Sequence, residues 1–280
     1  ENRYLIERFN ISYLTSGRDL LRLQNSPPSQ EAPLVLADPL FGERPPRLAQ
    51  AFQRSPNSRQ PGQPGQIYFR PLPGTRAEAL AIKALMPDAS LLLQKQATLA
   101  ALKRARAPRI LHIATHGFFL QQSRQTEAGA DDETNTELRL GRQTAEAQES
   151  LWRSGLALSD GILTALEMAG LDLWGTKLVV LSACDTGLGE YLKGEGVQGL
   201  RRALVLAGSE SQVMSLWPVT DQGAREFMID YYKALQRGEG RSEGLRQVQL
   251  RLLRSQARRH PFYWAAFIQS GEWANLDGKR

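Results

Sequence analysis

The stretch Leu178-Val179-Val180-Leu181-Ser182-Ala183-Cys184-Asp185-Thr186-Gly187 decides how the rest of the chain is read. Its first half is an unbroken apolar run with no alternation of polar and apolar side chains. That pattern predicts a strand over 177–182 that is buried on both faces, as in a parallel sheet covered by helices. Its second half, from Ser182 to Gly187, is a run of small and polar residues where such a strand ends. Working outward, Ile110 to Ala114 is a second apolar strand, running into Thr115-His116-Gly117. Gln212 to Leu216 is a third, followed by Trp217-Pro218-Val219-Thr220-Asp221, and Leu34 to Ala37 is a short fourth, ended by Asp38-Pro39. Helical periodicity fills the gaps. Helices are predicted over 75–86 (with Thr75 and Glu78 as a capping box), 97–105, 162–169, 197–206, 225–235 and 242–254, and a last strand over 262–269. Strands alternating with helices argue for a mostly parallel sheet with both faces covered. Binding sites in such sheets form at the carboxyl ends of the strands, where His116, Cys184 and Asp221 all fall.

The chain has 280 residues, 41% hydrophobic and 23% charged. These values exclude a wholly disordered, collagen-like or coiled-coil protein. No apolar run reaches the roughly 18 residues of a membrane-spanning helix. The net charge of +6 is a modest excess, and no nucleic-acid-binding motif accompanies it. The start at Glu1 lacks the pattern of a signal peptide and fits a segment of a longer chain. Two stretches stand apart. Residues 42–66 are rich in Pro, Gly, Gln and Arg and read as a long polar loop. Residues 121–150 carry seven acids against three arginines and no core pattern, and read as an exposed insertion. The seven arginines between Arg237 and Arg259 read as a solvated helix face.

The single cysteine, Cys184, excludes an internal disulfide and a cysteine-rich zinc site. A lone cysteine is either an inert small hydrophobe or a nucleophile. Its place at a strand end, with Gly187 and Gly189 beyond it, favours the nucleophile. If the strands ending at His116 and Cys184 are neighbours, imidazole and thiol meet in one crevice, and the imidazole raises the thiolate fraction. Glycines beside both groups let backbone N–H groups face an oxyanion. His112, inside its strand, reads as a packed or hydrogen-bonded histidine. A metal site of His112, His116 and Cys184 lacks a fourth ligand, and the spacing of Gly187, Gly189, Gly194 and Gly196 fits neither phosphate-binding glycine pattern. Trp217 and Trp264 read as core. No cofactor is called for.

Five segments together resemble one family. They are Leu72-Pro73-Gly74-Thr75-Arg76, His112-Ile113-Ala114-Thr115-His116-Gly117, Leu181-Ser182-Ala183-Cys184-Asp185-Thr186-Gly187, Gly194-Glu195-Gly196-Val197 and Ser215-Leu216-Trp217-Pro218-Val219-Thr220-Asp221. In this order they resemble the CHAT domains, caspase-like domains associated with tetratricopeptide repeats and related to separases, and the resemblance runs from about Ile11 to Trp273. It implies a caspase-like three-layer α/β/α sandwich with a mostly parallel central sheet. An N-terminal α/β portion over 1–105 would precede a catalytic portion over 106–280. It implies a cysteine protease with Cys184 as nucleophile and His116 as general base, and an oxyanion hole of the Gly117 and Cys184 N–H groups. Asp221 falls where separases carry the aspartate that receives a basic side chain, and Asp185 is a second candidate for that pocket. Arginine is therefore the expected residue before the scissile bond (P1). Pro218 departs from the separase pattern, which has an acidic residue after the tryptophan. The implied partners are a peptide or protein substrate and a repeat segment or regulatory partner, with no nucleic acid and no membrane, in a bacterial cytoplasm. An Arg preference also implies self-cleavage near Arg124, Arg139, Arg142 or Arg153. A catalytically idle domain that serves as an interaction module is the alternative.

Overall fold

The computed structural model describes residues 3–42, 69–119, 154–182, 184–185 and 195–279. Among these residues ten strands fall into two sheets. The first holds six: β1 (Leu34–Pro39), β2 (Ser90–Gln94), β3 (Ile110–Ala114), β7 (Leu178–Leu181), β9 (Ser211–Ser215) and β10 (Phe267–Gly271). Their order across the sheet is β10-β9-β7-β3-β1-β2. All pairs are parallel except β10 with β9. The second sheet has four strands in the order β6-β5-β4-β8: β4 (His116–Phe119), β5 (Ser154–Leu158), β6 (Gly161–Thr164) and β8 (Cys184–Asp185).

The apolar strands of the first sheet are buried on both faces, and their residues divide by alternation. Leu34, Leu36, Leu111, Ile113, Val179 and Leu181 enter one core. Val35, Ala37, Ile110, Ala114, Leu178 and Val180 enter the other. The first core is closed by helices α3 (Leu99–Arg104), α4 (Ala165–Met168) and α5 (Glu195–Leu206), through residues such as Leu102, Met168 and Leu204. The second is closed by α2 (Pro73–Leu85), α6 (Asp221–Gln236) and α7 (Arg241–Arg254), through Ile82, Phe227, Tyr231 and Val248. The result is a three-layer α/β/α arrangement around a mostly parallel sheet, consistent with a caspase-like fold. Strands β1 and β2, from the first 105 residues, lie beside β3 in the same sheet.

Several local expectations change. The predicted helix over 162–169 is half strand: Gly161–Thr164 pairs with β5 across a two-residue turn, and only Ala165–Met168 is helical. Thr164 and Glu167 form a capping box that starts the helix inside the apolar run. The predicted last strand begins late. Pro261 opens a short helix, α8 (Pro261–Trp264), capped by the His260 ring, and the strand runs over Phe267–Gly271. The Thr75/Glu78 capping box does not form, because Pro73 starts α2 sooner. Thr75 Oγ1 instead donates to the Leu72 carbonyl and accepts from the Asp38 N–H. Arg241, expected on a solvated face, is 1% exposed. The alternating stretch Ile11, Tyr13 and Leu14, which predicts a strand, makes only a single bridge, Tyr13 to Ser270. The acidic stretch 121–150 lies outside the described residues.

Candidate active site

Two adjacent strands of the first sheet carry their pairing into the second. β3 and β7 pair with Ile113 opposite Leu181, and the Ser182 N–H donates to the Ile113 carbonyl at 3.0 Å. Both chains then break, β3 at Thr115, and resume as β4 and β8 with His116 opposite Cys184 and Gly117 opposite Asp185. The register is the same on both sides of the break. Thr115 fixes the crossing point: its hydroxyl donates to the Ala157 carbonyl of β5 at 2.6 Å. The backbones of His116 and Cys184 are thus neighbours across one strand spacing, about 4.8 Å, at the carboxyl end of the parallel sheet. Of the Cys184 and Asp185 side chains nothing is described.

His116 is 7% exposed. Its ring lies against Phe69 (centroids 5.6 Å, 28°) and Phe41 (5.3 Å, 41°). Nε2 is 2.6 Å from the Arg70 carbonyl oxygen. A carbonyl only accepts, so Nε2 carries the proton and Nδ1 is the basic nitrogen of the neutral ring. Burial holds the His116 pKa below the usual histidine range, against the opposing pull of the Arg70 carbonyl and the Asp221 charge. The imidazole is therefore a base at neutral pH.

Asp221 is the first residue of α6, whose cap is Thr220: its Oγ1 accepts from the Gly223 N–H at 3.2 Å. A carboxylate there sits well at the positive end of the helix dipole. Asp221 also packs on Gly74 in the first turn of α2, so closely that a Cβ at Gly74 would overlap its side chain. Between α2, α6 and the ends of β3 and β7 lies a pocket of about 80 Å³ whose lining includes His116, Asp221, Glu78 and Ser182. The structure thus brings His116 and Asp221 to one pocket, with the Cys184 and Gly117 backbones beside it.

Behind the pocket lies a buried polar chain. Ser182 Oγ donates to Glu78 Oε2 at 3.1 Å, and Glu78 Oε1 approaches His112 Nε2 at 3.2 Å. That approach is off the line of a hydrogen bond, and both of those atoms lack a hydrogen-bond partner among the described residues. His112 Nδ1 is 3.0 Å from the Tyr232 hydroxyl. Burial pushes the Tyr232 phenol well above its ordinary range, so it stays protonated and donates. His112 is the packed, hydrogen-bonded histidine that its place inside a strand predicts. Trp264 is buried, and Trp217 is half-buried against the second core. Among the described residues no group of three His, Cys, Asp or Glu is placed to hold a metal ion.

Sequence reasoning missed Phe41, Phe69, the Arg70 carbonyl and Glu78. A backbone carbonyl leaves no trace in residue type. The two phenylalanines flank a polar stretch that reads as a loop. Glu78 is visible in the sequence but reads there as a cap.

An α/β domain with histidine and cysteine on paired strand ends at the carboxyl edge of a parallel sheet defines the class. The chain belongs to the CHAT domain family, whose profile matches residues 1–272. It is 26% identical over 296 residues to the mouse (Mus musculus) protein named Tetratricopeptide repeat protein 28, and 25% identical over 296 residues to the human protein of that name. Each alignment covers 99% of this chain and 11% of the relative, so the chain spans about a tenth of the length of these curated relatives. No helix among the described residues is long and apolar enough to cross a membrane.

Proposed function

We propose that the chain is a cysteine endopeptidase domain of the caspase-like type, with the catalytic machinery in 106–280. The observation that carries this reading is the pairing of His116 with Cys184 at the sheet's carboxyl edge, with the His116 tautomer set by Arg70. Cys184 gives its thiol proton to His116 Nδ1, and its sulfur attacks the scissile carbonyl carbon. The oxyanion is held by the Gly117 and Cys184 N–H groups. The C–N bond then breaks, and His116 returns the proton to the leaving amine. Water, with His116 as its base, hydrolyses the thioester. Asp221, with Asp185, supplies negative charge for a basic P1 residue. Arg124, Arg139, Arg142 and Arg153 are the corresponding candidates for self-cleavage.

The test is a fluorogenic peptide with Arg at P1. Cys184→Ala and His116→Ala are expected to lose at least about 10⁴-fold in kcat. Residual turnover equal to wild type in both overturns the reading.

A second reading is an idle or partner-gated interaction module in the cytoplasm. It is favoured by the relatives, which are named for tetratricopeptide repeats and are far longer than this chain. Both forms expect no turnover by the isolated chain against any P1 residue; the gated form expects turnover once a repeat segment is added, and the idle form expects none.

A further inference from the structure

Glu78 is a carboxylate at 2% exposure. An ionised carboxylate is expensive to bury unless it is paired and hydrogen-bonded. Its polar neighbours are the Ser182 hydroxyl and the His112 ring, neither of them a lysine or arginine, and Oε1 has no hydrogen bond among the described residues. The same side chain lines the 80 Å³ pocket beside His116, and the second carboxylate of that lining is Asp221. Among the described residues no Arg or Lys lines the pocket. Arg76, two residues after Gly74 on the same helix, turns instead toward Asp38 at 4.0 Å. A water needs roughly 10–15 Å³, so the space exceeds what a single water fills and admits a small planar head group.

We infer that Glu78 is the deep specificity-determining carboxylate of the substrate pocket, there to receive the cationic head of a basic P1 side chain, with Asp221 at the mouth. Asp221 is exposed and Glu78 is not, so the two charges are set at different depths along one path. A guanidinium reaching Glu78 from the pocket would meet a carboxylate that no lysine or arginine contacts among the described residues, in a desolvated setting where a charge-assisted bond is strong. A neutral side chain of the same shape would leave Glu78 uncompensated and would be rejected. The inference rests on the peptidase reading for the word substrate, but binding of the cation does not require turnover.

The experiment separates the two. The 280-residue chain carrying Cys184→Ala is titrated with ethylguanidinium and, as a neutral isostere, ethylurea, followed by protein NMR. Shifts at pocket residues are expected to saturate with ethylguanidinium and not with ethylurea. Glu78→Gln is expected to weaken the cation at least about tenfold. Glu78→Asp keeps the charge but withdraws it by one methylene, and is expected to weaken binding while keeping the preference over ethylurea. It also serves if Glu78→Gln fails to fold. In the active enzyme, Glu78→Gln should lower the ratio of kcat/KM for Arg over citrulline at P1 by about tenfold. Cation binding that depends on Glu78 in a chain without peptidase activity supports the inference and sinks the peptidase reading. Peptidase activity with an Arg/citrulline ratio indifferent to Glu78, absence of cation binding to the parent protein, or cation binding unchanged in a folded Glu78 variant overturns the inference.

Discussion

The two ends of the central sheet both bury charge, and they do so in opposite ways. At the amino end Glu210, 4% exposed, is gripped by Lys177 Nζ at 2.5 Å and Arg241 Nη2 at 3.0 Å. Arg241 spends its remaining η donors on the Lys177 and Asn275 carbonyls and the Ser211 hydroxyl. A cleft of about 900 Å³ opens there, but three basic residues in its lining (Arg109, Lys177, Arg241) face three acidic ones (Glu210, Glu272, Asp277). At the carboxyl end a far smaller pocket is lined, among the described residues, by two carboxylates and no lysine or arginine. Cavity size alone would point to the amino end, whereas the proposed site lies at the carboxyl end. Where buried charges cancel, the cluster holds elements together; where they do not, as at the carboxyl end, the proposed cation would complete them.

The comparison breaks most visibly at Glu210. Glu210→Ala leaves the Arg241 guanidinium buried without its counter-charge and brings Lys177 and Arg241 into repulsion. A stability loss of about 3–5 kcal/mol is expected by denaturant unfolding, with the Arg/citrulline ratio of the remaining folded enzyme unchanged. A large change in that ratio would mean that the amino end is part of the site. Gly74→Ala tests the other end. A Cβ there overlaps the Asp221 side chain, so the carboxylate must leave its place. The expected stability loss is smaller, about 1–3 kcal/mol as for overpacking, and it is accompanied by lost preference for a basic P1 residue. Retained preference would remove Asp221 from the pocket mouth.

The sequence showed more of this site than of the elements around it, for a physical reason. β3 and β7 are apolar without alternation because both faces are buried, and that makes their ends easy to find. Their register carries unbroken into β4 and β8, so ends that matched in sequence also match in space, and His116 meets Cys184. What stayed hidden depends on tertiary context. β4, β5, β6 and β8 are two to five residues long and form a second sheet only because the first one releases its strands at Thr115 and after Ser182. Arg241 reads as a surface arginine in a helix rich in charge, and only the position of Glu210 buries it. Glu78 reads as a helix cap until Pro73 is seen to start the helix, which turns Glu78 inward.

The smallest effect concerns His116, whose pKa is held down mainly by burial. The folded state binds a proton there less readily than the unfolded chain, whose histidines titrate near about 6.5. The stabilising contribution of the neutral ring is thus present above about pH 6.5 and lost as pH falls through the lower folded pKa, since in that window the unfolded state binds more protons. The ring signals of the three histidines can be followed by NMR in the Cys184→Ala chain, with His116 assigned by its loss in His116→Gln. His116 is expected to titrate below the free value. Phe69→Ala admits water beside the ring, which should move the titration back up. Asp221→Asn removes a charge that favours the imidazolium, and should move it further down. Opposite shifts from two neighbours of one ring are hard to obtain from general loosening, which would move both variants toward the free value. If Asp221→Asn leaves the titration unmoved, the charge of the carboxyl-end pocket does not reach the base, and the contrast between the two ends is one of structure without consequence for the chemistry.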